Sequence, residues 1–162
     1  MARAGNSRNS LAIEVARSTV QSFKIFGSDY PTRDGTCIRD FIHVSDLAEA
    51  HSGSIDYLIG GGESSALNLS TGHRTSVKEI VAAVELVSTK RLRVKYGPRP
   101  EGDPPELVAD NALAKPTQGW ESRSNLTSIA ESAWNWLTRS IPHAMGELKW
   151  AAPASGLLKS LA

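Results

Sequence analysis

The sequence has little cysteine, few aromatic residues and no long apolar run. Cys37 is the only cysteine among 162 residues, so no disulfide can form within one chain. Cysteine use of this kind is typical of reducing compartments, and we expect a cytoplasmic location. No segment approaches the run of about 18 apolar residues that a membrane-spanning helix requires, so we expect no membrane partner.

The charges show no excess of either sign. The chain has 18 lysines and arginines against 17 aspartates and glutamates. A balanced surface gives no electrostatic reason to expect a nucleic acid or an anionic membrane as partner. The length suits one domain of ordinary size.

The motifs of several enzyme classes are also missing. The sequence holds no G-x-x-x-x-G-K-[ST], G-x-S-x-G, H-E-x-x-H or C-x-x-C. Its glycine cluster, Gly60–Gly62, follows a predicted helix, whereas a dinucleotide-binding loop lies between a strand and a helix. We therefore interpret the cluster as a helix stop. The histidines, at positions 43, 51, 73 and 143, are too dispersed to indicate a metal site.

Helical and strand patterns alternate along the chain, which indicates the α/β class. Residues 36–43 are predicted to be extended, and Ser76 with Glu79 forms an S-x-x-E capping box. Apolar spacing predicts helices over 11–20, 44–58, 77–89 and 125–139, and strands over 22–26, 66–70 and 92–96.

The helix predicted over 44–58 carries a continuous apolar face. Ser45 is its predicted N-cap. We expect the face to pack in the core, with His51 as a core histidine. The residues of this face are Val44, Leu47, Ala48, His51, Ile55 and Leu58.

Three long loops, 27–36, 70–76 and 97–106, interrupt the pattern. Loops of this length in compact α/β domains commonly bind a ligand. The first loop leads to Arg39 and Asp40, charges that a core does not require. On the residues alone, Arg39 is as well explained by a surface ion pair with Asp40 as by a contact to a ligand.

Several segments together resemble a known family. They are "IFGSDYPTRDGTCIRDFIHVSDLAEAH", "ALNLSTG", "SVKEIV", "PEGDPPELVAD", "QGW" and "AWNWLTR". In this order they are similar to the C-terminal portion of UDP-glucose 4-epimerases, members of the extended short-chain dehydrogenase/reductase superfamily. The resemblance covers about residues 10 to 139 and implies a substrate-binding lobe that lacks most of the Rossmann domain. We therefore expect a nucleotide-sugar-binding lobe over 1–139 and a weakly patterned tail over 140–162.

The resemblance implies which residues bind the UDP part of a UDP-hexose. Residues at the position of Lys24, Ile25 and Phe26 border the nucleotide in the family. Arg39, in the R-D-[YF] motif, is expected to reach the diphosphate, for which a planar guanidinium is suited. The family's R-R-x-G-D loop reads R-P-E-G-D here, so Arg99 and Asp103 match, and Asp103 is expected near the ribose hydroxyls.

The chain departs from the family pattern at two prolines. Pro100 replaces the second arginine of the R-R-x-G-D loop, and proline offers no side-chain donor to a phosphate. Pro116 lies where the family has a short helix before Gly-Trp. We expect Pro116 to break that helix.

The family's catalytic pair is a Tyr-x-x-x-Lys, and its hydride acceptor is NAD. The tyrosines at positions 30, 57 and 96 have no lysine four residues on, and no NAD fingerprint is present. We therefore expect no catalytic or cofactor-binding residue in this chain.

The implied activity is that of an isomerase of galactose and carbohydrate metabolism, the NAD-dependent interconversion of UDP-glucose and UDP-galactose. We expect this chain alone to be inactive. Two alternatives stay open: a non-catalytic nucleotide-sugar-binding or interaction module, and part of another nucleotide-sugar epimerase or dehydratase. Self-association or docking to a Rossmann lobe is the expected protein contact.

Overall fold

A computed structural model describes residues 8–18 and 21–139. The tail predicted over 140–162 and the last two residues of the first predicted helix lie outside these residues. The described elements, in chain order, are α1 Arg8–Ala16, β1 Phe23–Phe26, β2 Ile38–Arg39, α2 Val44–Ile59, β3 Thr75–Ser76, α3 Val77–Ser88, β4 Val94–Gly97, β5 Glu106–Leu107, α4 Ala114–Gln118 and α5 Leu126–Thr138.

Buried and exposed side chains alternate along strand β1. Phe23 and Ile25 point into the core and are 1% and 2% exposed, whereas Lys24 and Phe26 point outward. The strand pairs in parallel with β4, with Phe26 opposite Gly97. Parallel strands require a long crossover, which here contains α2 and α3.

The main core lies between this strand pair and helices α1, α3 and α5. Helix α3 begins at the predicted capping box: the Ser76 hydroxyl accepts from the Glu79 amide, and the Glu79 carboxylate accepts from the Ser76 amide. Ile80 and Val84 are fully buried. Cys37 is also fully buried, and it packs there as a small apolar side chain.

A smaller cluster joins α2, α4 and Trp120. Its buried members are Ala50, Ala114 and Trp120. The Trp120 indole donates to the main-chain carbonyl of Asp46 at 2.8 Å. This bond and these contacts attach one face of α2 to the segment around α4.

The prediction that the apolar face of α2 packs in the core is wrong. Val44, Ile55 and Leu58 are 74%, 60% and 51% exposed, and the buried residues of α2 are Asp46 and Ala50. His51 is exposed too, with Nδ1 2.7 Å from the Leu47 carbonyl. The periodicity identified residues that share a face, but within the described residues no element covers that face.

Two further local predictions are wrong. The N-cap of α2 is His43, whose Nδ1 accepts from the Ser45 amide at 3.0 Å. Residues 66–70 are irregular instead of forming a strand. The second sheet consists of short strands in the order β3-β2-β5.

Pro116 does not break the short helix as expected. It is the third residue of α4, which begins at Ala114. Amides in the first turn of a helix have no partner within the helix, so a proline there removes no bond.

Candidate functional site

The candidate site lies where β1 and β4 end. Because the two strands are parallel, their carboxyl ends meet at one edge, and the loops at 27–37 and 98–105 leave from the same place. The backbone pairing continues one step further, with the Gly27 amide donating to the Gly97 carbonyl at 3.0 Å. Ligands of open α/β sheets commonly bind at such edges.

Arg39 and Asp103 form an ion pair across the two loops. Arg39 Nη2 lies 2.6 Å from Asp103 Oδ1, and the two side chains are 15% and 23% exposed. Nη1 of Arg39 donates to the carbonyls of Ile38 and Pro104 at 2.6 and 3.1 Å. These bonds fix the plane of the guanidinium at the surface of the site.

Arg39 does not pair with Asp40, the neighbour that offered an alternative explanation for it. The Asp40 carboxylate accepts instead from the Thr71 amide at 3.2 Å and from its hydroxyl at 2.5 Å. Asp40 therefore anchors the loop at 70–74, and Arg39 reaches the loop at 98–105.

Tyr30 contacts two residues of the site, Asp103 and Arg99. Its hydroxyl donates to Asp103 Oδ2 at 2.6 Å. The Arg99 guanidinium carbon lies 4.2 Å from the centre of the Tyr30 ring, and Arg99 Nη2 donates to the Asp103 carbonyl at 2.9 Å. Burial raises the pKa of Tyr30 to about 12, together with its hydrogen bond to Asp103, so the hydroxyl keeps its proton at neutral pH.

The three residues of β1 that are predicted to border the nucleotide differ from one another in exposure. Ile25 is buried, so only its backbone is available to a ligand. Lys24 and Phe26 lie on the outer face, where Lys24 Nζ is 4.8 Å from the centre of the Phe26 ring. Phe26 is 42% exposed, which leaves an aromatic face at the end of the strand.

Arg39, Arg99 and Asp103 thus come together, and Lys24 and Phe26 lie on β1, the strand that leads into the loop at 27–37. Sequence reasoning missed Tyr30, which contacts two of the three. The signal was available, because Tyr30 lies in the turn-rich loop between Gly27 and Gly35, where a large aromatic side chain needs a packing partner. A cavity of about 280 Å³ lies elsewhere, along α2 beside Ala50 and Leu69.

Within residues 8–18 and 21–139, no helix combines the length and apolarity needed to cross a membrane. The same residues hold no group of three or more His, Cys, Asp or Glu side chains placed to bind a metal ion.

No family model matches the chain, but curated proteins and solved structures similar to it include UDP-glucose 4-epimerases. The chain is 53% identical over 129 residues to a UDP-glucose 4-epimerase of Rhizobium meliloti (strain 1021), a match that covers 80% of this chain and 39% of that protein. The Brucella ovis UDP-glucose 4-epimerase in complex with NAD matches with a TM-score of 0.79 and 38% identity, over 82% of this chain and 41% of that one.

A third relative was solved with both ligands. The UDP-glucose 4-epimerase of Bifidobacterium longum in complex with NAD+ and UDP matches with a TM-score of 0.76 and 32% identity, over 83% of this chain and 40% of that one. The chain therefore spans about two fifths of the length of the relatives it matches.

Proposed function

We infer that this chain is a C-terminal portion of a UDP-glucose 4-epimerase, and we propose that it supplies the surface that binds the UDP part of the substrate. The observation that carries the proposal is the cluster of Arg39, Asp103 and Arg99 at the carboxyl edge of β1 and β4. Two arginines and a carboxylate suit a diphosphate and the hydroxyls of a ribose.

Each residue has a separate role in the proposed site. Arg39 pairs with the diphosphate through guanidinium N–H groups, since only three of its five donors are used in the contacts to Asp103, Ile38 and Pro104. Asp103 accepts from the ribose. The exposed ring of Phe26 stacks beside the nucleotide, Lys24 and the backbone of Ile25 border it, and Arg99 adds positive charge.

The proposed reaction of the complete enzyme is the interconversion of UDP-glucose and UDP-galactose, a step of galactose metabolism in the cytoplasm. The hydride chemistry of that reaction would be supplied by NAD. The described residues do not fit NAD, because Gly60–Gly62 ends α2 and does not link a strand to a helix. The role proposed for this chain is therefore to bind and orient the nucleotide.

An exposed apolar face on α2 supports docking to another protein domain. We define the α2 face as the exposed apolar residues Val44, Leu47, Ile55, Leu58 and Ile59. A contiguous apolar surface of this kind marks a protein contact. We propose that a Rossmann lobe docks there, and the same face favours the second candidate function, a non-catalytic interaction module.

Titration calorimetry with UDP tests the proposed site. Removing a charge-assisted hydrogen bond costs about 1.5–3 kcal/mol, so Arg39→Ala should weaken UDP binding about tenfold or more. Arg91→Ala is the matched control, since Arg91 is 93% exposed and pairs with Glu85 away from the site. Equal UDP affinities for the wild type and Arg39→Ala would contradict the role of Arg39.

A further inference from the structure

Tyr30 is a buried phenol in a surface loop. It is 3% exposed, although the loop at 27–37 contains no regular secondary structure before β2. The chain makes room for it at Gly27, where φ is +80° and an added Cβ would lie 2.2 Å from a carbon of the Tyr30 ring. The loop is therefore built around this ring.

We propose that Tyr30 is a positioning residue of the nucleotide site, which aims Asp103 and Arg99 at the ligand without touching it. The inference rests on the proposed function for the identity of the ligand. It rests on the contacts of the described residues for the positioning itself.

Asp103 is held from two sides. Arg39 donates to Oδ1 and Tyr30 donates to Oδ2, both at 2.6 Å. With both oxygens engaged, the carboxylate cannot rotate without losing a bond. A carboxylate oxygen has two lone pairs, so Oδ2 can accept from a ribose hydroxyl while it keeps the bond from Tyr30.

Arg99 depends on the ring of Tyr30. Its guanidinium lies over the ring face at 4.2 Å, a cation–π contact, and its Nη2 closes the loop on the Asp103 carbonyl. With Pro100 in place of a second arginine, Arg99 is the cation that this loop offers to a phosphate. The ring therefore positions Arg99, and the hydroxyl positions Asp103.

These two tasks can be separated by substitution. Tyr30→Phe keeps the ring beneath Arg99 and removes only the donor to Asp103. We therefore expect Tyr30→Phe to impair recognition of the ribose hydroxyls and to spare recognition of the diphosphate. Tyr96→Phe is the matched control, because Tyr96 is 54% exposed on β4, outside the loops at 27–37 and 98–105.

The experiment compares UDP with 2′,3′-dideoxy-UDP by titration calorimetry. Tyr30→Phe should weaken UDP binding about fivefold, which is the size expected for coupling between contacting residues such as Tyr30 and Asp103. Binding of dideoxy-UDP should not change, because this nucleotide has no ribose hydroxyl for Asp103 to accept from. In the Asp103→Asn background, Tyr30→Phe should have no further effect. Equal weakening for both nucleotides, or an undiminished effect in that background, would overturn the proposal.

A measurement without nucleotide separates this inference from the proposed function. The Asp103 amide donates to the Pro100 carbonyl at 3.3 Å, so its hydrogen exchange reports on the order of the loop. Exchange there should be faster in Tyr30→Phe than in the wild type or in Tyr96→Phe. Unchanged exchange refutes the positioning role, whereas absence of UDP binding by the wild type refutes the proposed function.

Discussion

Asp46 is a carboxylate buried in helix α2, and the donors to it within residues 8–18 and 21–139 are neutral. It is 4% exposed. Burial alone would raise the pKa of Asp46, but hydrogen bonds hold it below its ordinary value. The donors are the hydroxyls of Ser122 and Ser124 and the amides of Arg123 and Ser124, at 2.8 to 3.1 Å.

Asp46→Asn should lower the free energy of unfolding by about 1.5–3 kcal/mol, since an amide nitrogen cannot accept from these donors. A depressed native pKa stabilises the fold above the unfolded value of about 3.9 and stops doing so as the pH falls through the native value. The difference between wild type and Asp46→Asn should therefore shrink below about pH 4. Urea unfolding at pH 7 and pH 3 measures this difference in the free energy of unfolding. A difference that does not change with pH would contradict the stabilising role of the Asp46 carboxylate.

At the scale of residues, the family motifs name Arg39, Arg99 and Asp103 but not the contacts between them. Arg39 and Asp103 were singled out from separate motifs, and the structure joins them in one ion pair. That pairing depends on two loops meeting at a sheet edge, which spacing along the chain does not encode. Tyr30 was missed for the same reason, because its partners lie more than 60 residues away.

At the scale of elements, helix α2 shows what periodicity predicts and what it does not. The helix and its end at Gly60 are as predicted, and the apolar residues do share one face. The spacing of apolar residues does not determine which element packs against the face that they form. In the described part of the chain the residues of the α2 face are 38% to 80% exposed, so local pattern and tertiary burial disagree there.

The α2 face should cause self-association of the 162-residue chain. Ile55→Lys with Ile59→Lys should reduce the apparent mass in light scattering after size-exclusion chromatography, because apolar contacts between copies are lost. Leu86→Lys is the control, since Leu86 is 69% exposed on α3, outside the face. Identical masses for the wild type and the double variant would show that the face does not mediate association.

At the scale of the whole molecule, the predicted α/β class and the resemblance to UDP-glucose 4-epimerases are confirmed. Strands β1 and β4 and helices α1, α3 and α5 are predicted from alternation and helical spacing, whereas the parallel pairing of the two strands is not. The three-stranded sheet is not predicted, because its strands have two residues each and therefore too few positions to show an alternating pattern.

The 162-residue chain should show no epimerase turnover, with or without added NAD. It holds no Tyr-x-x-x-Lys pair and spans about two fifths of its relatives. Incubation with UDP-galactose and NAD, followed by chromatographic detection of UDP-glucose, measures this. Product above a control without protein would mean that other residues carry the reaction.

The parallel pairing of β1 with β4 also bears on how the chain is made. Phe23 pairs with Val94, so the partner strand leaves the ribosome about 70 residues later, roughly 4 to 14 seconds at ordinary translation rates. Throughout that interval Phe23 and Ile25, both buried in the finished fold, lack the strand that pairs with them. The yield of folded protein should therefore depend on the speed of the ribosome between the codons for these two strands.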